Sequence, residues 1–453
     1  MPAVTAAETT PAARGAGAAI LALYGTGAFA ASVLLQTVLL WLVYFYAPPA
    51  GQGLTRLPPT LVGFAMAAGR VVNALSNPPV AFWSDRCRTP WGRRRPFIAI
   101  GAPGLAACFA LLWAPPSADQ GALFTYTALT LAGFFFLFSL VMNPYAAILP
   151  EITPGGRGRA TAASWQAGGS LGGVGVAMIA TPWLIERWGF RTMGLVIGAF
   201  ALACLWIVGG GVPAGRGPAG SGPGAPPRGF LREVAGVLRH RGFQIYLAAL
   251  ALLWLGTSMV NTTVVYVVTV LMGLPREQVA IVLGSAFAVT VAALPPLARI
   301  IRTLGTARAL AWTLAATTVV VPLIGTIGMH GVPFTPTAQG YTLIVLAAGP
   351  LAALLVLPNV LLADIAEADR VASGRGREAM FYAVQGLVLN IATAVASALL
   401  GVVLSLGYAA GHPLGLRLIP MIAGACTLAA LLIFRRYPRT APAGGPSPAH
   451  QAA

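Results

Sequence analysis

The chain has 453 residues, 57% of them hydrophobic and 9% charged, whereas soluble domains carry roughly a quarter charged residues. Eleven acids cannot solvate a soluble surface of this size, and apolar runs long enough to cross a bilayer recur along the whole length, which excludes the soluble enzymes. The net charge of +17 comes from 28 basic residues, all arginine; scattered between apolar spans, they set orientation and touch anionic lipid rather than binding nucleic acid.

In chain order, a tail over 1–17 leads into six apolar spans near 18–46, 59–83, 96–115, 122–149, 161–186 and 192–212. The first twenty residues lack a basic region running into a short apolar core with a cleavage site, so the first span is expected to stay as an anchor. A linker over 213–242 follows, first rich in Gly and Pro (PAGRGPAGSGPGAPPRG), then basic and amphipathic (FLREVAGVLRHRG), which predicts a flexible tether and a surface helix. Six more spans lie near 243–271, 278–301, 308–329, 340–365, 379–407 and 415–434, before a tail over 435–453. The expected fold is an all-α integral membrane protein with twelve transmembrane helices in two six-helix bundles, 18–212 and 243–434.

With the N-terminus placed in the cytoplasm, 22 Arg fall in or beside the tails and inside loops and five in or beside the outside loops, while Arg70 lies within a span. The positive-inside rule then predicts a multi-pass protein of the cell (inner) membrane with both termini cytoplasmic. Cys87, Cys108, Cys204 and Cys426 show neither metal-ligand spacing nor obvious pairing, so no disulfide, metal or cofactor is expected. The halves echo one another: PEITPGGRGR follows span four and ADIAEADRVASGRGR follows span ten, and an aromatic residue and a Gln come next in both, Trp165 with Gln166 and Tyr382 with Gln385. Repeats of this kind place a binding site at the midplane between two moving halves.

Polar side chains inside the spans are the candidate solute contacts. Arg70, Asn73 and Asn77 share one face of span two, a polar stripe on an otherwise apolar helix. A charge well inside a span costs roughly 2.5–3.5 kcal/mol on insertion scales and marks function or a satisfied structural Arg. Span one offers Ser32 and Gln36, span seven Trp254, Ser258 and Asn261, span four Asn143, span five Gln166, and span eleven Tyr382, Gln385 and Asn390. Neutral amides and hydroxyls with an aromatic platform suit sugar hydroxyls and ring faces, although Ser and Asn also serve helix–helix hydrogen bonding. All eleven acids and all four His lie in tails, loops or span ends, whereas proton or sodium coupling usually needs an embedded group whose charge state changes.

The segment NPPVAFWSDRCRTPWGRRRPF at 77–97 resembles the loop between helices two and three of the major facilitator superfamily. Its Asp85, with Arg86, Arg93, Arg94 and Arg95, and with Glu151 and Asp364 after spans four and ten, forms a candidate gating set. Together with PYAAILPEITP at 144–154 and AD…GRGREAMFYAVQG at 363–386, the wording is similar to the glycoside-pentoside-hexuronide:cation symporters, the melibiose-permease-like branch, and also to sucrose transporters. That resemblance implies sugar or glycoside transport coupled to a cation, by alternating access. Residue by residue the match changes character: the family's two cation-binding aspartates of helix two fall at Asn73 and Asn77, its helix-one acid near Ser32, its helix-four aspartate at about Met142, beside Asn143, its helix-four tryptophan near Ala146, its helix-five arginine near Gln166 and its helix-eleven lysine at Asn390.

The function expected is therefore secondary transport of a small polar solute, a sugar or glycoside, by a chain that works as a monomer in the lipid bilayer, with the coupling carboxylates replaced. A carrier or exporter of an amphiphilic or anionic solute, or a non-transporting sensor on the same scaffold, is the alternative. A channel would show rings of repeated pore residues, and an intramembrane enzyme would show buried His, Asp, Glu or Cys clusters; neither pattern is present in the sequence.

Overall fold

A computed structural model describes residues 17–87, 89–117, 119–153, 156–212, 236–329, 334–373 and 378–437. Most of the tails and of the linker, residues 154–155 and the second GRGR at 374–377 fall outside these stretches. The first bundle holds α1 (Ala18–Tyr46), α2 (Pro59–Arg86), α3 (Arg95–Leu112) and α4 (Gln120–Ile152). The continuous stretch Gly156–Gly211 then carries two spans, α5 (156–188) and α6 (190–211), which meet at Gly189 with φ 78° and ψ 171°. Reversing direction within one residue needs a positive φ, which glycine adopts without steric penalty.

In the second bundle α7 (Arg241–Tyr266) continues through a π-helical turn, Val267–Leu271. It is followed by α8 (Val279–Ala292, extended by Leu294–Leu304), α9 (Thr306–Leu323), α10 (Pro336–Ser373), α11 (Glu378–Leu404) and α12 (Leu414–Phe434). Among the described residues, ten helices are long and apolar enough to cross a membrane, with α5 and α6 counted as one and α2 absent. Helix α2 falls short because Arg70, Asn73, Ser76 and Asn77 dilute its apolar residues. Twelve crossings put both described ends, near residues 17 and 437, on the same face, here the terminal face; the other is the distal face.

Small residues let the helices touch backbone to backbone, the packing that operates where lipid removes the hydrophobic drive between helices. A Cβ at Gly169 of α5 would lie 2.2 Å from the Gly25 carbonyl oxygen of α1, and one at Gly173 would lie 2.4 Å from that of Phe29. Between the bundles, α2 meets α11 in the same way: a Cβ at Gly63 would sit 2.5 Å from the Ser397 carbonyl oxygen and 2.8 Å from the Gly401 Cα.

The buried core shows how the bundles are joined. One continuous apolar cluster runs through the first bundle and takes in the distal ends of the second, including Tyr266, Leu271, Val282, Leu400 and Leu416. The terminal-side core of the second bundle, built around Phe243, Leu250, Leu310, Leu362, Phe381 and Phe434, is a separate cluster. The halves are thus fused by packing at the distal face and separate toward the terminal face.

Candidate functional site

Helix α2 lies between α4 of its own bundle and α11 of the other, so its polar stripe faces both. Toward α11, Asn73 Nδ2 donates to Asn390 Oδ1 at 3.3 Å, and Asn390 Nδ2 turns back to the Gly386 carbonyl at 3.0 Å. Toward α4, Asn77 Oδ1 accepts from Ser139 Oγ and from Asn143 Nδ2, the latter at 3.0 Å; Asn143 Nδ2 also lies 3.1 Å from Ser139 Oγ. A string of neutral amides therefore crosses the midplane from α4 through α2 to α11. On α4 it is Asn143, the neighbour of Met142, that reaches Asn77.

One turn from Asn73, Arg70 is only 8% exposed, and its guanidinium carbon sits 4.8 Å from the centre of the Phe135 ring on α4. Its Nε is sealed from solvent with no acceptor, and among the described residues the side chain makes no hydrogen bond or ion pair. The ring face offers partial electrostatic compensation to the cation.

A second link across the halves joins α1 to α7, where Gln36 Nε2 donates to Asn261 Oδ1 at 3.4 Å. Ser32, one turn away, is half-buried against α5, its Cβ 2.9 Å from where a Gly173 Cβ would stand. Trp254 is partly exposed and Ser258 half-buried on the same stretch of α7. Gln166 on α5 is half-buried and Tyr382 on α11 is exposed, both near the terminal face. Gln385 sits deeper, in the core of the second bundle, where it lies 3.2 Å from the Tyr246 hydroxyl, whose shorter bond of 2.7 Å goes to the Pro358 carbonyl. The structure brings Asn73, Asn77, Asn143 and Asn390 together with Arg70 beside them, and Gln36 with Asn261; it does not bring Gln385 into that group.

Of the gating candidates, Asp85 at the end of α2 pairs with Arg94, just before α3, at 3.4 Å, within its own bundle rather than across the halves. Arg86 lies over the Phe82 ring at 3.8 Å, and Arg95 donates from Nε to the Val212 carbonyl at 3.2 Å, holding the end of α6. Asp364 is exposed at the terminal end of α10, and the side chain of Glu151 lies outside the described residues. An ion pair that spans the bundles was not singled out from the sequence: Arg276 Nε, ahead of α8, donates to Glu186 Oε2 of α5 at 3.0 Å on the distal face. Beside it, Tyr266 of α7 packs edge-on against Tyr44 of α1, 5.2 Å between centroids, and donates to the Ala47 carbonyl at 2.7 Å.

A hollow of about 820 Å³ lies elsewhere, between α1, α5 and α6 in the terminal half. Phe29, Trp165, Phe200, Ala22, Cys204 and three Gly line it, with Thr26, Thr161 and Ser164 as its polar edge.

Two six-helix bundles joined at one face, with the Asn73–Asn390 hydrogen bond crossing between them, define a multi-pass membrane protein. The family described as MFS/sugar transport protein matches residues 23–440, and the chain belongs to it. Among curated relatives, the inner membrane symporter YicJ of Escherichia coli (strain K12) is 29% identical over 153 residues, 33% of this chain and 32% of that protein. The isoprimeverose transporter of Lactiplantibacillus pentosus is 27% identical over 186 residues, 41% of this chain and 38% of that protein. The chain thus spans about a third of the length of the curated relatives it matches. The solved structure of a mutant of the nucleoside transporter NupG superimposes with a TM-score of 0.67 over 92% of this chain and 99% of that one, at 11% identity, which shows the shared fold.

Proposed function

We propose that the chain is a secondary transporter that moves a sugar or glycoside across the cell membrane by alternating access, without the cation coupling of its symporter relatives. The observation that carries this reading is the amide string Asn143–Asn77 and Asn73–Asn390, which bridges the two bundles where a central solute would sit. Amides present donors and acceptors to hydroxyl groups at no charge cost, and Trp254 supplies a platform for an apolar ring face. The names of the relatives, a glycoside/cation symporter YagG and an isoprimeverose transporter, support the solute class.

Ser32, Gln36, Arg70, Asn73, Asn77, Asn143, Gln166, Trp254, Ser258, Asn261, Tyr382 and Asn390 are assigned to solute contact or its surroundings, and Gln385 to positioning Tyr246. The bundles are taken as 18–212 and 243–434, acting as a monomer, with both termini and the 213–242 linker cytoplasmic. The terminal face is then the inside, and the separated cores correspond to an inward-facing state. The testing experiment is counterflow in proteoliposomes against a panel of glycosides: exchange of one or more of them supports the reading, and no exchange with any sugar, alongside a folded protein, refutes it.

The hollow beside α1, α5 and α6 favours a second reading. Its largely apolar lining suits the hydrocarbon part of an amphiphile, and a sodium-dependent lysophosphatidylcholine symporter of Danio rerio is 36% identical over 73 residues. Exchange of lysolipids but not of sugars would select it.

A further inference from the structure

We propose that Arg70 is an anion subsite: the transporter proposed above carries a negative charge through its centre, either as a carboxylate on the solute or as a free monovalent anion moving with a neutral one. The inference rests on the transporter reading and narrows what it moves.

The spans of this chain hold a cation and no compensating acid. All eleven acids lie in tails, loops or helix ends, and among the described residues Arg70 has neither ion pair nor hydrogen bond although it is nine-tenths buried. Phe135 covers one face of the guanidinium but accepts no N–H, so five donors in a rigid fork stay unused. A guanidinium withdrawn from water binds a carboxylate or a small anion far more readily than a hydrated one does, because little solvation is left to displace. The terminal nitrogens, unlike Nε, are not fully sealed.

The neighbours fit the same occupant. At i+3, Asn73 is an amide rather than an acid, so it does not compete for the cation, and its Nδ2 is committed to Asn390 of the other bundle. An anion at Arg70 would lie beside that inter-bundle bond, where its presence can bias which face is open. The replacement of carboxylates by Asn at 73 and 77 then has a consequence beyond losing a cation: it leaves an arginine whose charge must be met by something the protein does not contain.

The test uses the full-length purified protein and follows its melting temperature at constant ionic strength. In one arm chloride replaces the bulky anion isethionate; in the other, methyl glucuronide is compared with methyl glucoside in isethionate. A saturable rise with chloride identifies a free co-ion, and a rise with the glucuronide beyond that with the glucoside identifies a solute carboxylate. In either case Arg70→Met should weaken the apparent affinity by about tenfold or more, and Arg70→Lys should retain part of it. Asn73→Asp keeps the guanidinium but supplies a carboxylate one turn away, and should also abolish the response; it decides the matter if Arg70→Met does not purify. The proposal is overturned if neither anion stabilises the wild-type protein, or if the response survives in Arg70→Met or Asn73→Asp. Counterflow of a neutral glycoside by a protein that ignores both anions would remove the subsite and leave the transporter reading intact; anion binding with no flux of any solute would do the reverse.

Discussion

Glu186 and Arg276 stand 3.0 Å apart on the distal face, one from each bundle and each about one-third exposed. A pair this wet contributes about 0–1 kcal/mol, enough to tilt a two-state equilibrium a few-fold but not to lock it. Glu186→Gln should therefore raise the population opened at that face by up to about fivefold, an effect that shrinks as salt screens the pair. Distances between spin labels on the distal ends of α5 and α8 would read the shift. An unchanged distribution at low salt would mean that the pair decorates a face closed by packing alone.

Packing should dominate at Gly63. A methyl there meets the Ser397 carbonyl oxygen at 2.5 Å, backbone that cannot rotate away. Gly63→Ala is expected to disfavour the closed distal face by about 1–3 kcal/mol, the range for overpacking, a larger effect than that of Glu186→Gln. Thiol labelling near Tyr266 would become faster in this variant.

At the end of α2, Asp85→Asn should lower thermal stability, because the Arg94 side chain facing it is only 9% exposed. Removing one partner from a mostly buried pair costs up to about 3 kcal/mol. Arg86→Ala, which removes a contact with Phe82 at the exposed end of the helix, should cost less than about 1 kcal/mol. Equal melting temperatures for the two variants would show that Asp85 serves only topology.

Solute flux should be insensitive to an imposed sodium or proton gradient. The oxygens of Asn77 and Asn390 already accept hydrogen bonds from neighbouring side chains, and an amide neither ionises near neutral pH nor attracts a cation as a carboxylate does. Uphill accumulation driven by either gradient in proteoliposomes would overturn this. Gradient dependence conferred by Asn73→Asp would place a coupling site at this position.

Much of the scaffold is written locally, in apolar runs of span length, and α2 stood out because Arg70, Asn73 and Asn77 recur at helical spacing within one of them. What the local pattern does not hold is the identity of distant partners. Ser139 lies four residues before Asn143 and shares its helix face, yet its meeting with Asn77 depends on how α4 packs on α2. Glu186 and Arg276 are 90 residues apart and each resembles an ordinary loop charge until the bundles are docked. Gly63 and Gly401 look like any other glycine in a sequence that contains 54; only the crossing of α2 and α11 singles them out. Gln385, paired by sequence echo with Gln166, lies instead against Tyr246, because the repeat preserves chain order better than it preserves the side-chain environment.

The single apolar cluster that fuses the bundles at the distal face has a thermodynamic consequence for the working cycle. Opening that face wets side chains such as Leu271, Val282 and Leu400 that are buried in the closed state, and exposing apolar surface to water raises heat capacity. The equilibrium between the two facing states should accordingly curve with temperature instead of following a straight van't Hoff line. Cooling weakens apolar association, so the share of molecules open at the distal face should grow in the cold.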